Sequence, residues 1–283
     1  MKKTRWKPFP HPDKAYDYAG ARLKAHWSRL HQGDCEPYPA AGELKKLVAR
    51  YPELAPSGTL EQAVAKLEDA WRAYHQGDFG RAVELGLAVK PLGYSVANKA
   101  ANIYATYLET DESAKLALFL ESAERAEWVF GHAKSVVNAW YFHAQALGRY
   151  GQGISVVKAL AQGLGGKVKT SLEQAIHLEP HHADAHIAMG TYHAEIVSKV
   201  GAMLANLTYG ASRDEAVKHF DTALKLNPHS AIARVEYANG LAMMFGESKL
   251  ARATSLYKEA AACPPADAME RLDAELARSE LED

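Results

Sequence analysis

The sequence predicts an all-α protein built from repeated helical hairpins, and three observations support this fold class. The segments 139–180 and 185–228 are two copies of one pattern, in which an aromatic or His-rich helix leads through an apolar, Gly-containing stretch into an amphipathic helix. From Thr59 onward, apolar residues recur at the spacing of one helix face after another. No alternating strand pattern of useful length occurs. We therefore expect a stacked helical array.

The composition of the 283-residue chain is that of a folded, soluble protein. Hydrophobic residues make up 48% and charged residues 24%, with a formal net charge of −1, which excludes global disorder and does not indicate nucleic-acid binding. Residues 1–50 carry eleven Lys and Arg against five Asp and Glu, whereas residues 234–283 carry six against ten. We interpret this asymmetry as solvated helix faces of different sign, with steering of partners or self-association as the alternative.

Neither the cysteines nor the start of the chain indicates export. Cys35 and Cys263 are far apart, without a C-x-x-C motif or a histidine at ligand spacing, so neither a disulfide framework nor a zinc site is predicted. The basic start is not followed by an apolar run, and no apolar stretch reaches the roughly 20 residues that a membrane-spanning helix needs. We expect a soluble, cytoplasmic protein.

The prolines divide the chain into three parts. Seven of the twelve prolines fall in residues 1–56, and proline interrupts helices, so this region is predicted to be a Pro-rich extension with one amphipathic helix around residues 13–32. Residues 57–265 form the predicted helical array. Residues 266–283 are predicted to be a helix that caps the last unit through Met269, Leu272 and Leu276. Docking of a partner on this helix is the alternative.

Helix-start signals place units within the array. Thr59 and Gln62 have the spacing of a capping box, in which each side chain bonds the backbone of the other residue. Ser212 and Glu215 repeat this spacing. The Gly-Asp pair at 77–78 is a predicted turn into a second helix over about residues 79–89.

The second helix of each unit resembles that of a tetratricopeptide repeat (TPR). The pattern Ala-x3-Phe-x2-Ala-x4-Pro occurs at Ala216, Phe220, Ala223 and Pro228. In the first helix of the same unit, a small residue is expected where the two helices of the hairpin touch, and Gly190 occupies this position. The resemblance covers about residues 59–265 and implies a right-handed α-α superhelix. The same offsets recur at Leu172, Ala175 and Pro180 and at Ala253, Tyr257, Ala260 and Pro265, and the counterparts of Gly190 are Ala144 and Ala238.

Two of the units are longer than a standard repeat. The copies at 139–180 and 185–228 contain 42 and 44 residues, against about 34 for a standard unit. The surplus lies at 151–167 and 196–211 and is predicted to form short inserted helices. Elongated units of this kind resemble the repeats of the regulators of microtubule dynamics and of the lipoproteins associated with TRAP-type solute transporters. The second resemblance implies a carrier for a small apolar solute.

The inserted segments carry apolar stripes with glycines at their ends, and such stripes must be buried against something. Three burial partners are open: the neighbouring unit of the same chain, a second copy of the protein, or an external ligand. The predicted insertion contacts are Ile154, Val157, Leu160, Val200, Met203, Leu204 and Leu207.

Polar residues on the first helices are the candidate binding residues, because these helices line the concave face of such a superhelix. A mixed wall of Asn, Gln, Arg and Tyr suits an extended peptide or a small polar ligand. The alternative is a groove that binds only solvent, which would carry the same residues. The candidates are Asn138, Tyr141, Gln145, Arg149, Asp184, Ile187, Thr191, Glu195 and Asn239, with Ile232 and Val235 beside the last of them.

One histidine cluster is a candidate metal site. His182, His186 and His193 lie at helical spacing, but the repeat pattern places packed core residues at the last two positions, and we interpret these as core histidines. No P-loop, dinucleotide-binding or nucleophile-elbow motif occurs. We therefore predict no metal, no cofactor and no catalytic residues, and we expect that the protein is not an enzyme.

These observations favour a non-enzymatic scaffold or adaptor that binds a protein or peptide partner through its concave face and its insertions. Self-association into a homo-oligomer is left open, and neither nucleic acid nor a membrane span is expected. The alternative is a carrier in which the apolar insertions enclose a small molecule, as the resemblance to the transporter-associated proteins implies.

Overall fold

The computed structural model describes residues 6–282, except for the side chains of residues 156, 157 and 160. Regular structure within this range is helical throughout, as predicted, and none of these helices is long and apolar enough to cross a membrane. The α-helices in chain order are α1 (Arg22–Leu30), α2 (Ala41–Arg50), α3 (Leu60–Gln76), α4 (Phe79–Leu87), α5 (Tyr94–Tyr107), α6 (Glu112–His132), α7 (Val137–Gln152), α8 (Val156–Ala161), α9 (Leu164–Leu178), α10 (Ala183–Val200), α11 (Ala202–Leu204), α12 (Arg213–Leu226), α13 (Ala231–Phe245), α14 (Leu250–Ala261) and α15 (Ala268–Glu282). Short 3-10 helices span Lys14–Tyr16, Pro52–Leu54 and Gly246–Lys249, and a π-helical turn spans Ala205–Tyr209.

Local sequence signals set the ends of α3 and α4. The capping box at the start of α3 is formed, because the Thr59 hydroxyl accepts from the Gln62 N–H at 3.2 Å and the Gln62 side chain accepts from the Thr59 N–H at 3.3 Å. Gly77 ends α3 with a φ of 90°, a left-handed conformation that favours glycine. Asp78 then caps α4 by accepting from the Arg81 N–H.

Two local predictions differ from the structure. The helix expected over residues 13–32 begins only at Arg22, because Gly20 takes a left-handed φ of 56° and separates α1 from a short turn upstream. Ser212 caps α12 as predicted, but its own N–H donates to His193 Nδ1 at 3.3 Å. The Glu215 carboxylate pairs with Lys218 at 3.1 Å instead of completing a capping box.

Across the described residues the helices pair into five hairpins, α3–α4, α5–α6, α7–α9, α10–α12 and α13–α14, which stack in sequence order. The short helices α8 and α11 lie in the predicted insertions. Along the stack, each first helix contacts the next: α3 contacts α5, α5 contacts α7, α7 contacts α10 and α10 contacts α13. The first helices therefore form the inner layer of a superhelix.

Glycines allow the close contact between the last units. The ring of Phe220 is fully buried between α10 and α13. A Cβ atom added to Gly190 would lie 2.8 Å from this ring, and one added to Gly240 would lie 2.7 Å from it. Phe220 also stacks on Tyr237, with the ring centroids 5.0 Å apart. The small residue that the repeat pattern places at position 190 is thus required by the packing of Phe220.

The last helix closes the superhelix on its own beginning. Helix α15 packs against α13 and α14, and it also contacts α3. The Asp267 carboxylate lies 2.7 Å from His75 Nδ1, and the Tyr74 hydroxyl donates to Met269 Sδ at 2.9 Å. Helices from opposite ends of the array therefore meet around a shared interior.

The N-terminal segment occupies part of this interior. The apolar face of α1 is buried, and Trp27 packs edge-on against Trp71 of α3, with ring centroids 5.6 Å apart. The Gln32 side chain donates to the Leu226 carbonyl of α12 at 3.1 Å. The segment thus spans the inside of the superhelix from its first hairpin to its fourth. The unit boundaries at residues 56 and 265 stay predictions.

Candidate functional site

A cavity of about 300 Å³ lies inside the superhelix. Its walls come from the inner helices α5, α7, α10 and α13, from α15, and from the end of α1 with the turn after it. The first turns of α9 and the side chain of Tyr209 complete one side. Cavities of this size are typical of small-molecule sites.

Most of the predicted concave-face residues line this cavity. Asn138 and Asn239 lie elsewhere: the Asn138 amide donates to the Asp34 carbonyl at 3.0 Å, and Asn239 accepts a hydrogen bond from the Tyr257 hydroxyl. Both amides therefore connect parts of the fold, and Val235 is buried in the core. The residues on the cavity wall are Tyr141, Gln145, Arg149, Asp184, Ile187, Thr191 and Glu195, with Ile232 beside them.

Both insertions border the cavity. Ala159 and residues 163–166 from the first insertion and Tyr209 from the second lie on its wall. Ile154 and Val200 are half-buried against the core, and the side chains of Val157 and Leu160 lie outside the described residues.

The rest of the second apolar stripe is exposed in the part of the chain that the structure describes. Met203 and Leu207 are each 80% exposed, and Leu204 is 49% exposed. Gly201, with a φ of 82°, turns the chain before α11, and the π-helical turn that follows buries Ala205 instead. Packing against the described residues of the neighbouring unit therefore does not account for these three side chains.

The cations on the cavity wall are each paired with a carboxylate. Lys99 Nζ lies 2.5 Å from Asp34 Oδ2, and the Arg29 guanidinium holds Glu270 through two contacts of 2.5 and 2.8 Å. The other two pairs on this wall are Arg149 with Glu236 at 2.7 Å and Lys199 with Glu195 at 3.0 Å.

Two further carboxylates on the wall, Asp184 and Asp273, have no such pair within residues 6–282. Asp184 donates its backbone N–H to the Gly33 carbonyl at 2.9 Å, but among the described residues no cation lies within ion-pair distance of its carboxylate. Burial raises the pKa of Asp184 to about 7, because the charge of Lys99 offsets the loss of hydration only in part. Asp273 accepts a hydrogen bond from the Tyr107 hydroxyl, and burial raises the pKa of this carboxyl to about 8.

Asp273 is not among the predicted site residues, because the last helix was predicted to cap the last unit. A signal was present. Asp273 lies four residues after Met269 and three before Leu276, so it shares the apolar face of α15. An acidic residue on such a face is buried and is a candidate for a functional role.

A buried polar network supports the wall beside Asp184. His31 Nδ1 lies 2.9 Å from Asp34 Oδ1. Burial alone would raise the pKa of Asp34, but Lys99 and His31 hold it well below its ordinary value. Glu36 accepts from Ser95 Oγ at 2.6 Å and from Asn138 Nδ2 at 2.5 Å, and burial raises its pKa to about 7. These contacts fix the turn after α1 against α5 and α7.

The candidate metal histidines have separate partners. His182 Nε2 lies 2.9 Å from Asn138 Oδ1, and burial lowers the pKa of His182 to about 4. His186 Nδ1 lies 2.8 Å from His219 Nδ1, and His193 bonds the start of α12 as described. Across residues 6–282, no group of three or more His, Cys, Asp or Glu side chains is placed to hold a metal ion.

Comparison with known proteins supports the fold. No family model and no curated protein sequence matches the chain. The crystal structure of a thermophilic TPR protein from Thermus thermophilus is similar, with a TM-score of 0.54 and 17% sequence identity over 77% of this chain and 99% of that chain. The protein therefore has an all-α, TPR-like superhelical fold. The resemblances to regulators of microtubule dynamics and to transporter-associated lipoproteins stay predictions.

Proposed function

We propose that this protein is a non-enzymatic binding protein whose ligand, a small molecule with a polar and an apolar part, is held in the central cavity. The observation that supports this function is the position of the chain's own segments. The turn after α1 and helix α15 lie inside the superhelix, where an open array would receive an extended peptide. The space left beside them is a cavity of about 300 Å³, which suits a small molecule.

The cavity wall carries both apolar and charged side chains. Leu147, Leu164 and Ile196 provide apolar surface near the insertions, whereas Asp184 and Asp273 provide carboxylates. Burial of the apolar part of a ligand supplies most of the binding free energy, and a few polar groups fix its orientation. This mixed lining favours an amphipathic ligand and agrees with the carrier that the sequence left as the alternative function. A cytoplasmic location remains part of the proposal.

Native mass spectrometry tests this function. Protein purified gently from producing cells is expected to carry one small molecule per chain, which organic extraction then identifies. The matched variants are Gly148→Phe and Gly131→Phe. Gly148 lies on the cavity wall in α7 and Gly131 lies on the surface of α6, and a Cβ atom added at either position meets nothing within 4 Å.

The two variants are expected to differ in ligand content while both remain folded. Gly148→Phe places a large ring in the cavity and should displace the molecule, whereas Gly131→Phe should retain it. Equal ligand content in the two variants, or protein that binds no small molecule from cells or from an added set of amphiphiles, would contradict the proposed function.

A second candidate function is a scaffold for protein partners, and the exposed edge of the second insertion favours it. Met203, Leu204 and Leu207 form an apolar edge that no described residue covers, and clustered apolar surface marks interaction sites. This edge does not overlap the cavity wall, so the two functions can be separated by substitution.

Replacing Met203 and Leu207 together with Ser tests the scaffold. The double variant is expected to lose self-association in analytical ultracentrifugation, or capture of a specific protein, while its cavity ligand is unchanged. Leu250→Ser is the control, since Leu250 is 56% exposed at the start of α14. Assembly mass and captured proteins that are identical in all three proteins would exclude a scaffold function of this edge.

A further inference from the structure

The charges on the cavity wall do not balance. Its four cations within residues 6–282, Arg29, Lys99, Arg149 and Lys199, each lie 2.5–3.0 Å from a carboxylate of the same wall. Among the residues that the structure describes, six carboxylates share this wall, so two remain after the pairs are formed. These two are Asp184 and Asp273.

We propose, on the basis of the proposed function, that the cavity selects an organic cation, and that the carboxylates of Asp184 and Asp273 accept hydrogen bonds from its ammonium group or groups. A carboxylate away from bulk water loses hydration energy unless a cation or several donors replace the water. The Tyr107 hydroxyl supplies one donor to Asp273. A ligand ammonium supplies the missing positive charge.

The other charge classes of ligand fit less well. An anion would have to take a cation from one of the four pairs, which leaves a carboxylate uncompensated. A metal ion needs several ligands at one point, and the described residues contain no such group. Tyr107 and Tyr141, both on the cavity wall, add aromatic surface that also favours a cation.

The raised pKa values of the two carboxyls agree with this assignment. Burial raises the pKa of Asp184 to about 7 and that of Asp273 to about 8 in the ligand-free protein. A bound ammonium group lowers the pKa of a neighbouring carboxyl. Binding at neutral pH is therefore expected to release protons, which titrations in buffers of different ionisation enthalpy measure.

Three probes of equal chain length separate the charge preference from the apolar contribution. n-Hexylamine, n-hexanol and hexanoate are titrated calorimetrically into the full chain at pH 8.5, where most of both carboxyls is ionised. We expect n-hexylamine to bind about tenfold or more tightly than n-hexanol, because charge-assisted hydrogen bonds exceed neutral ones by this order. Hexanoate should bind most weakly.

The outcomes distinguish this inference from the proposed function. If n-hexanol binds as tightly as n-hexylamine, the result supports a cavity ligand but contradicts the preference for a cation. Absence of binding by all three probes overturns both. If hexanoate binds most tightly, the proposed preference for a cation is wrong, and one of the four ion pairs must open to bind the anion.

Substitution assigns the preference to the two carboxylates. The double variant Asp184→Asn/Asp273→Asn keeps side-chain volume and is expected to lose about tenfold in affinity for n-hexylamine with unchanged affinity for n-hexanol. Its n-hexanol binding also reports that the cavity is folded. The control is Glu280→Gln, an exposed residue of the same helix as Asp273. An unchanged affinity of the double variant for n-hexylamine would overturn the assignment.

Discussion

The carboxylate of Asp34 lies 2.5 Å from the ammonium of Lys99, and both side chains are buried. The two residues are 65 positions apart, and their pair fixes the turn after α1 to α5 on the inside of the superhelix. The same carboxylate also contacts His31 at 2.9 Å. This link holds the N-terminal segment where it narrows the concave groove to a cavity.

Substitution of Lys99 by Met should destabilise the protein strongly, because it leaves the buried Asp34 carboxylate without its cation. Loss of one partner of a buried pair costs about 3–5 kcal/mol. Lys46→Met is the control, since Lys46 pairs with Glu43 at 2.9 Å on the surface, where such pairs contribute little. Urea denaturation of both variants measures the difference, and equal midpoints would show that the Asp34–Lys99 pair does not hold the fold.

The raised pKa of Asp273 predicts a stability that depends on pH. Because its pKa is about 8 in the fold against an ordinary value of 3.8, the folded chain keeps the proton at pH values where the unfolded chain has lost it. The resulting stabilisation is complete below pH 3.8 and is lost as pH rises to about 8.

Asp273→Asn removes this titration. Relative to wild type, the variant should gain about 2 kcal/mol or more in unfolding free energy between pH 5 and pH 8.5. Denaturation curves of both proteins at pH 5 and pH 8.5 give the change in unfolding free energy with pH for each protein. The difference between these two changes isolates Asp273, because the contributions of the other titrating groups cancel. A difference independent of pH would mean that Asp273 has an ordinary pKa.

Gly190 is predicted to tolerate no side chain. Gly190→Ala brings a Cβ atom to 2.8 Å from the buried ring of Phe220, and overpacking of this kind costs about 1–3 kcal/mol. Gly148→Ala is the matched control, since it lies within α7 and its added Cβ meets nothing within 4 Å. That substitution should stabilise the protein by about 0.5–1 kcal/mol. Thermal unfolding that ranks the two variants in the opposite order would contradict the packing described for α10 and α12.

The parts of the fold that depend on neighbours in sequence were predictable. The capping box of Thr59, the turn at Gly77 and the small residue at Gly190 follow from patterns a few residues long. The closure of the superhelix does not, because it rests on contacts such as the pair of Arg29 with Glu270, 241 positions apart. Local helix periodicity does not predict such contacts. The N-terminal segment was therefore expected to be an extension.

The positions of several site residues were predictable from the sequence, but their ion partners were not. Repeat register placed Asp184, Arg149 and Glu195 on the inner face, where they are. It could not indicate which of them already have ion partners, because Arg149 pairs with Glu236 of a later unit. The sequence left open whether the chain itself covers Met203, since a stripe pattern does not reveal a glycine turn that directs the stripe outward.

The crystal structure of the protein grown with n-hexylamine tests the central claim most directly. We predict electron density for one amine inside the superhelix, with its nitrogen within about 3 Å of the Asp184 or the Asp273 carboxylate and its alkyl chain against Leu147, Leu164 and Ile196. An empty cavity, with the amine on the outer surface or at the Met203–Leu207 edge, would contradict the proposed site.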